Sequence, residues 1–308
     1  MTTLERIGYG SSFNTLTIYE NTIKKQSINP TGHVKLNKEI DFYEYVCLHS
    51  IPLCMPRLIS SSKEEHQYSL TFMREYVPLY TIFPTCSNQR KEQILHTLRT
   101  ALDSMHARTV RPVDRSTLMD DLQYEFYDKL LERYTEVEPL LRDFTHIRTI
   151  NGKEIKHLHE LVPLLYQKVI DYYSGKQSPE YCLIHGDCQF NNILINPATY
   201  NIVFIDPRAS FGRSGGLFGL REYDYAKVNF ALSGYDSFDN RQIDKIDIEG
   251  HNVNIEDLSI YKEEMSEIQE VLVALIWLGN AHCFKRYPCK AAYSYFYGLY
   301  LANKVLYK

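Results

Sequence analysis

Basic residues are not in excess in this chain: 34 lysines and arginines stand against 38 aspartates and glutamates, a formal charge of -4. Binding to nucleic acid in general needs a basic face that displaces counterions from phosphates, so that class of function is disfavoured. A local basic pocket for a small anion is still allowed. Paired cysteines are also missing. Cys47, Cys54, Cys86, Cys182, Cys188, Cys283 and Cys289 are scattered, odd in number and without C-x-x-C spacing, which argues against a zinc site or a disulfide framework. The opening "MTTLERIGYG" lacks the basic and apolar regions of a secretory leader. The longest apolar run near the C-terminus, "VLVALIWLG", falls far short of the ~20 residues a bilayer requires. No repeat or low-complexity stretch occurs. These absences predict a soluble, cytoplasmic protein with no membrane span and no nucleic-acid partner, and they leave its chemistry open.

What the chain does have is apolar patterning. Hydrophobic residues make up 44% of its 308 positions, enough for a large core in one two-lobed unit or two domains. The first part reads mostly as strands. "NTLTIYENTIKKQS" alternates on either side of the turn signal Glu20-Asn21, with Leu16 and Ile18 on one strand and Ile23 on the next. "KLNKEIDFYEYVCLH" places Leu36, Ile40, Tyr43 and Val46/Cys47 at helical spacing, and "YSLTFMREYV" reads as a strand ended by Pro78. From about residue 88 the pattern turns helical, with Ile94, Leu95, Leu98, Ala101, Leu102 and Met105 on one face. Two or three further helices are predicted over 118–174, interrupted near "RTINGKE", and a helical tail over about 261–307. A sheet-rich part, a helical part and an embedded β-hairpin predict an α+β fold of two lobes around a cleft. The expected division is residues 1–77 and residues 78–308.

One stretch breaks the apolar pattern with polar residues. "YCLIHGDCQFNNILINPATYNIVFIDPRASFG", residues 181–212, plants His185, Asp187, Asn192 and Asp206 among the runs "YCLI", "NILI" and "IVFI". If Leu183-Ile184 and Asn192 to Ile195 lie in adjacent short strands, Asp187 sits in their connecting loop. A turn at "NPATY" then returns "NIVFI" and delivers Asp206 beside Asn192. Asp, Asn and Asp at one mouth make an oxygen-rich site suited to magnesium, with one carboxylate left to orient a nucleophile.

The pattern H-G-D-x4-N followed by two apolar residues and Asp resembles the catalytic and metal-binding loops of the aminoglycoside phosphotransferase/choline kinase group, small-molecule kinases with a protein-kinase-like fold. The resemblance implies a small antiparallel-sheet N-terminal lobe that binds nucleotide and a larger, mostly helical C-terminal lobe for catalysis and substrate. It implies ATP as co-substrate, Mg2+ as cofactor and a small-molecule hydroxyl as acceptor. Asp187 would orient that hydroxyl, and Asn192 and Asp206 would hold magnesium on the ATP phosphates. His185 would be structural, and so would Asp224, which matches the family's Asp-φ-Ala-φ element in "LREYDYAKV". The glycine-containing "IGYGSSFNT", with Gly8, Gly10, Ser11 and Ser12, would cover phosphates with its backbone N–H groups. The family's strand lysine falls on Lys25 or Lys24. Alternation favours Lys25, which shares a face with Ile23 and Ser27, whereas Lys24 lies with Thr22 and Gln26. Glu39 would pair with that lysine. Backbone groups of Arg74, Glu75 and Tyr76 in "FMREYVPLY" would meet the adenine edge, and "ALDSMHAR" resembles the helix that precedes the catalytic loop. The resemblance spans about residues 5–240, and its specificity rests on the H-G-D-x4-N…D element.

Departures bear on the acceptor. Pro207-Arg208 follows the metal Asp where many relatives have an aromatic or Gly, and "IDPRASFG" is similar to a subset associated with capsule and surface-polysaccharide gene clusters. That similarity implies a sugar or amino alcohol as acceptor, with choline/ethanolamine or aminoglycoside kinase as the alternative within the class. Arg208 would meet a phosphate or an acidic substrate group, or else form a salt bridge with Glu222 or Asp224. Tyr124, Lys129 and Arg133 in "YEFYDKLLER" are candidates for an acceptor face, the last two being four residues apart on a helix. The non-enzymatic alternative is an inactive nucleotide-binding scaffold. A protein kinase is disfavoured by the lack of H-R-D and A-P-E segments.

Overall fold

The structure is a computed structural model describing Thr2–Thr3 and residues 13–307. The chain divides into two compact units: Met1–Arg111, Glu180–Phe211 and Gly215–Ala231 form one, and Pro112–Pro179, Gly212–Ser214 and Leu232–Lys308 the other.

The first unit contains an antiparallel five-stranded sheet of β1 (Thr2–Thr3), β2 (Asn14–Tyr19), β3 (Thr22–Ser27), β4 (Leu58–Ser62) and β5 (Gln67–Thr71), in the order β1-β2-β3-β5-β4. Helix α1 (Pro30–Leu48) starts where the Asn29 side chain accepts from the Gly32 N–H and Pro30 presets the first turn. Leu36, Ile40 and Tyr43 recur at helical spacing and bury against Tyr68 and Leu70 of the sheet. Each apolar side chain of this kind stabilises the fold by roughly 1.5–3 kcal/mol on leaving water. Glu39 lies three residues after Leu36, inside the same stripe, so α1 carries a carboxylate into its own buried face.

The strand expected over "YSLTFMREYV" stops at Thr71. The N–H groups of Arg74 and Tyr76 donate to the carbonyls of Phe72 and Met73, both at 3.1 Å, and these local turns end the ladder. β6 (Val77–Pro78) then joins a different sheet. After α2 (Asn88–Thr109), the unit resumes with β7 (Glu180–Leu183), β8 (Ile193–Ile195), β9 (Ile202–Phe204), β10 (Phe218–Gly219) and α3 (Arg221–Leu232). β8 pairs antiparallel with β9 and with β6, in register Ile193↔Phe204 and Ile195↔Val77. β7 pairs with β10. The expected adjacency of Leu183-Ile184 with Asn192–Ile195 is therefore corrected: the two apolar runs belong to separate sheets. Within the first unit, β6 pairs with the β8–β9 hairpin.

The second unit is mostly helical. Its longer helices are Lys129–Leu141, Leu158–Ser174, Glu267–Asn280 and Pro288–Leu306. Trp277 is fully buried against Tyr235, Phe238 and Tyr297, with its Nε1 donating to Ser233 Oγ at 2.7 Å. The predicted tail over 261–307 is in fact two helices. Ser266 caps the first with a reciprocal bond to Gln269, and Pro288 opens the second. The interruption near "RTINGKE" is a hairpin, Thr149–Ile150 with Lys153–Glu154, turning on Asn151 and Gly152 at φ of 50° and 74°. It extends into a four-stranded sheet with Asn252–Asn254 and Asp247–Glu249. Among the described residues, no helix is long and apolar enough to cross a membrane.

Gly212 has a φ of +62°, and a Cβ there would lie 2.2 Å from Cγ of Asp121. Asp121 is buried and cannot give way freely, since it accepts from the backbone N–H of Ser214 at 2.9 Å and its hydroxyl at 3.0 Å. Gly212→Ala should cost about 2–3 kcal/mol, seen as a lowered denaturation midpoint; an unchanged midpoint would contradict this packing.

Candidate active site

Strand alternation and helix periodicity meet at Lys25. β3 turns Lys25 to the same face as Ser27, and α1 presents Glu39 to it. Lys25 Nζ lies 3.0 and 2.7 Å from the two Glu39 oxygens and 3.3 Å from Asp206 Oδ1. Tyr68 donates its hydroxyl to Glu39 Oε2 at 2.7 Å. Burial opposes the charge on Lys25, but the carboxylates of Asp206 and Glu39 outweigh it and raise its pKa above the usual lysine value. The Glu39 pKa is raised by burial, with Lys25 pulling the other way. Lys24 points to the opposite face of β3, as the period of two requires.

The loop between β7 and β8 is held from below by Asp224, in the first turn of α3, where a helix N-terminus favours an anion. Asp224 Oδ2 accepts from the N–H of His185 at 3.1 Å, and Oδ1 accepts from the N–H of Gly186 at 2.7 Å. Nε2 of His106, on α2, lies 2.9 Å from Asp224 Oδ2. Burial pushes the Asp224 carboxyl up, yet the bonds from His106 and the loop N–H groups bring it below its ordinary value. His185 is a strut: Nε2 donates to the Ile205 carbonyl at 3.0 Å, and Nδ1 accepts the Asp187 N–H at 3.3 Å. Burial lowers its pKa, which keeps the ring neutral and both nitrogens committed. Gly186 takes a φ of 76°, and a Cβ there would lie 3.3 Å from Arg208 Cβ, a conformation and approach suited to glycine.

Asp187 and Asn192 are joined directly. Asn192 Nδ2 donates to Asp187 Oδ2 at 2.9 Å and to the Asp187 carbonyl at 3.1 Å, which directs the amide oxygen the other way. The Ile205 N–H donates to the Asn192 carbonyl at 2.9 Å, so Asn192 and Asp206 leave the β8–β9 hairpin at the same end. Asp206 has a left-handed φ of 54° and precedes Pro207. Asp tolerates that region better than most residues, and such outliers cost of order 1–3 kcal/mol and gather at functional sites.

Sequence reasoning missed two residues here. His106 sits in the quoted "ALDSMHAR", but its bond to Asp224 spans 118 positions. Lys227 ends the Asp-φ-Ala-φ element where an apolar residue is expected; that charged misfit was the available signal. Its Nζ lies 3.0 Å from Asp187 Oδ1, and its side chain is 13% exposed. Arg208 donates to the Tyr223 hydroxyl and stands over the Tyr223 ring at 5.4 Å.

Of the other candidates, Gly8, Gly10, Ser11 and Ser12 lie outside the described residues. The Arg74 side chain donates to the Glu20 carbonyl at 2.8 Å, Glu75 Oε2 lies 3.4 Å from Asn196 Nδ2, and the Arg74 and Tyr76 N–H groups are used in the local turns. Tyr124, Lys129 and Arg133 belong to the second unit. There Lys129 holds Glu125 at 3.0 Å, Arg213 stands over Tyr124 at 4.9 Å, and Arg133 packs against Gly279. Lys129 and Arg133 do not form a bare basic face.

No group of three or more His, Cys, Asp or Glu side chains placed to hold a metal occurs among the described residues. The donor chemistry of Asp206 and Asn192 nonetheless fits magnesium, which favours oxygen ligands and is commonly bound by one or two protein groups plus substrate phosphates.

No family model and no curated protein sequence matches the chain. Solved structures do. The choline kinase LicA from Streptococcus pneumoniae matches at TM-score 0.56, with 12% identity over 99% of this chain and 94% of that one. The same kinase in complex with AMP gives 0.54, with 13% identity over 99% and 92%. A choline/ethanolamine kinase family protein from Mesorhizobium loti gives 0.51, with 9% identity over 96% and 85%. The fold is that of the choline kinases. The α+β, protein-kinase-like class expected from H-G-D-x4-N is the class found, and in this choline-kinase-like fold Lys25, Glu39, Asp187, Asn192 and Asp206 all lie within one compact unit.

Lys25→Met leaves Glu39 buried with the Tyr68 hydroxyl as its remaining donor among the described residues. Removing one partner of a buried pair costs on the order of 3 kcal/mol. Chemical denaturation should show that loss, and Lys25→Met/Glu39→Gln should recover most of it. An equal loss in both variants would contradict the pairing.

Proposed function

We propose that the protein is an ATP- and magnesium-dependent phosphotransferase that phosphorylates a hydroxyl of a small molecule. The observation that carries this reading is the contact chain Glu39–Lys25–Asp206, tied by the hairpin backbone to Asn192–Asp187. Residues 1–77 would serve the nucleotide, and 78–308 would supply the catalytic loop and the acceptor site. The AMP complex of the choline kinase with this fold supports an adenine nucleotide as co-substrate.

In this scheme Lys25 steadies the α- and β-phosphates, while Glu39 fixes its position. Asn192 and Asp206 hold magnesium, which when bound neutralises charge on the ATP phosphates. Asp187 accepts a hydrogen bond from the acceptor hydroxyl and aims its oxygen at the γ-phosphorus. The bond from that phosphorus to the β–γ bridging oxygen breaks, the bond to the acceptor oxygen forms, ADP leaves, and the hydroxyl proton passes to Asp187. His185 and Asp224 hold the loop. Positioning and charge stabilisation supply most of the rate.

The acceptor we favour is a sugar or amino alcohol used in surface polysaccharide, on the similarity of "IDPRASFG" to that subset. Choline or ethanolamine is the second reading, supported by the likeness to choline kinases. The ammonium of Lys227 beside Asp187, with the Arg208 charge close enough to act on it, weighs against a cationic acceptor there. Free thiols throughout the described residues suit a cytoplasmic location.

The test is ADP release from MgATP against panels of sugars, amino alcohols, choline, ethanolamine and aminoglycosides. Asp187→Asn should lower turnover on the active acceptor by about 10²–10⁴-fold, with MgATP affinity nearly unchanged. Near-normal turnover in that variant would sink the assignment. A wild-type protein that binds MgATP and phosphorylates nothing would favour a scaffold instead.

A further inference from the structure

Lys227 is a half-buried cation, its side chain 13% exposed, that ion-pairs with Asp187 and that the phosphotransferase scheme leaves without a task. It lies three residues after Asp224 on α3, so both project from one helical face toward the loop that carries Asp187. Its ammonium bonds Asp187 Oδ1 at 3.0 Å, while Asn192 holds Oδ2 at 2.9 Å. The two oxygens thus have different donors, and the carboxylate plane is fixed. Rings of Tyr223 and Phe230 flank the ammonium at 5.9 and 5.4 Å. Among the described residues, Asp187 is the carboxylate within ion-pair reach of it.

A structural pin for Asp187 would not require a charge. Withdrawing an ammonium from water is costly even when it is incomplete, and a neutral amide would hold the carboxylate with a smaller desolvation penalty. Burial does oppose the charge on Lys227, yet Asp187 and Tyr223 raise its pKa against burial and the nearby Arg208. It is therefore an ammonium at neutral pH, with three N–H donors and one carboxylate. An acceptor hydroxyl bonded to Asp187 must approach within about 2.6–3.2 Å of it. The phosphoryl group moving toward that hydroxyl would approach the carboxylate that Nζ already holds, and a fixed cation in a partly dry site acts strongly on developing negative charge.

We propose that Lys227 is a catalytic residue whose ammonium bridges Asp187 and an equatorial oxygen of the phosphoryl group in transit. This rests on the reading of Asp187 as the residue that orients the acceptor.

The probe is MgADP with aluminium fluoride, a planar mimic of the transferring phosphoryl group, bound to the full-length protein and followed by calorimetry. Wild type should bind MgADP more tightly with aluminium fluoride than without, by about 10²-fold or more. Lys227→Met should lose most of that increment and keep MgADP affinity within about twofold. Lys227→Gln retains a donor to Asp187 but no charge. It should lose the increment just as Lys227→Met does, whereas a structural pin would preserve it, and Lys227→Arg should keep most of it. A full increment in Lys227→Gln would overturn the proposal while leaving the phosphotransferase reading intact. A wild type that shows no increment, or does not bind MgADP, would overturn that reading and this inference with it.

Discussion

Asp224 is fully buried, and its carboxylate accepts from the N–H groups of two successive loop residues, His185 and Gly186, with His106 at its other side. A buried carboxylate without donors would shed its charge or destabilise the fold. With these donors, and at a helix N-terminus, it stays an anion and turns a flexible segment into a fixed one. Everything nearer the chemistry inherits that geometry. His185 reaches from the anchored loop to the Ile205 carbonyl, tying the loop to the strand that ends before Asp206. Asp187 projects from the same anchored turn, and α3 supplies both the anchor and the Lys227 that faces Asp187.

A second buried charge pair works from the opposite direction. Lys25 and Glu39 come from a strand and a helix of the N-terminal sheet, and Lys25 extends to Asp206 on the hairpin. Asp206 is therefore gripped by an ammonium from one side while its backbone holds a left-handed conformation before a proline. The strain and the unusual partner fall on the same residue, the one the scheme assigns to metal.

Much of this arrangement was legible because it follows short periods. The resemblance named Lys24 or Lys25, and alternation with Ile23 and Ser27 chose Lys25; Glu39 came from the resemblance, and its place in the stripe of Leu36, Ile40 and Tyr43 is what buries it. The polar residues of the 181–212 stretch stood out against apolar runs too short to be anything but strands. Pairing partners were another matter. "YCLI" and "NILI" are equally apolar, and nothing local says that one pairs with Phe218–Gly219 and the other with Ile202–Phe204. The sheet joining 149–154 to 247–254 depends on a parallel contact between segments about a hundred positions apart, although its Asn151-Gly152 turn was readable. His106 and Lys227 were missed for the same reason. Each gains its meaning from a distant carboxylate, and the local pattern showed only a histidine in a helix and a lysine in an apolar slot.

The central claim is that Asn192 and Asp206, brought to one hairpin end, receive a metal-bound nucleotide opposite Asp187. It is tested most directly by calorimetric titration of the full-length protein with ATP, once with magnesium in excess and once with the metal chelated. If the two oxygen ligands act through a dication on the phosphates, affinity should fall roughly tenfold or more on chelation. ATP binding of equal strength with and without magnesium, or no ATP binding at all, would contradict the claim.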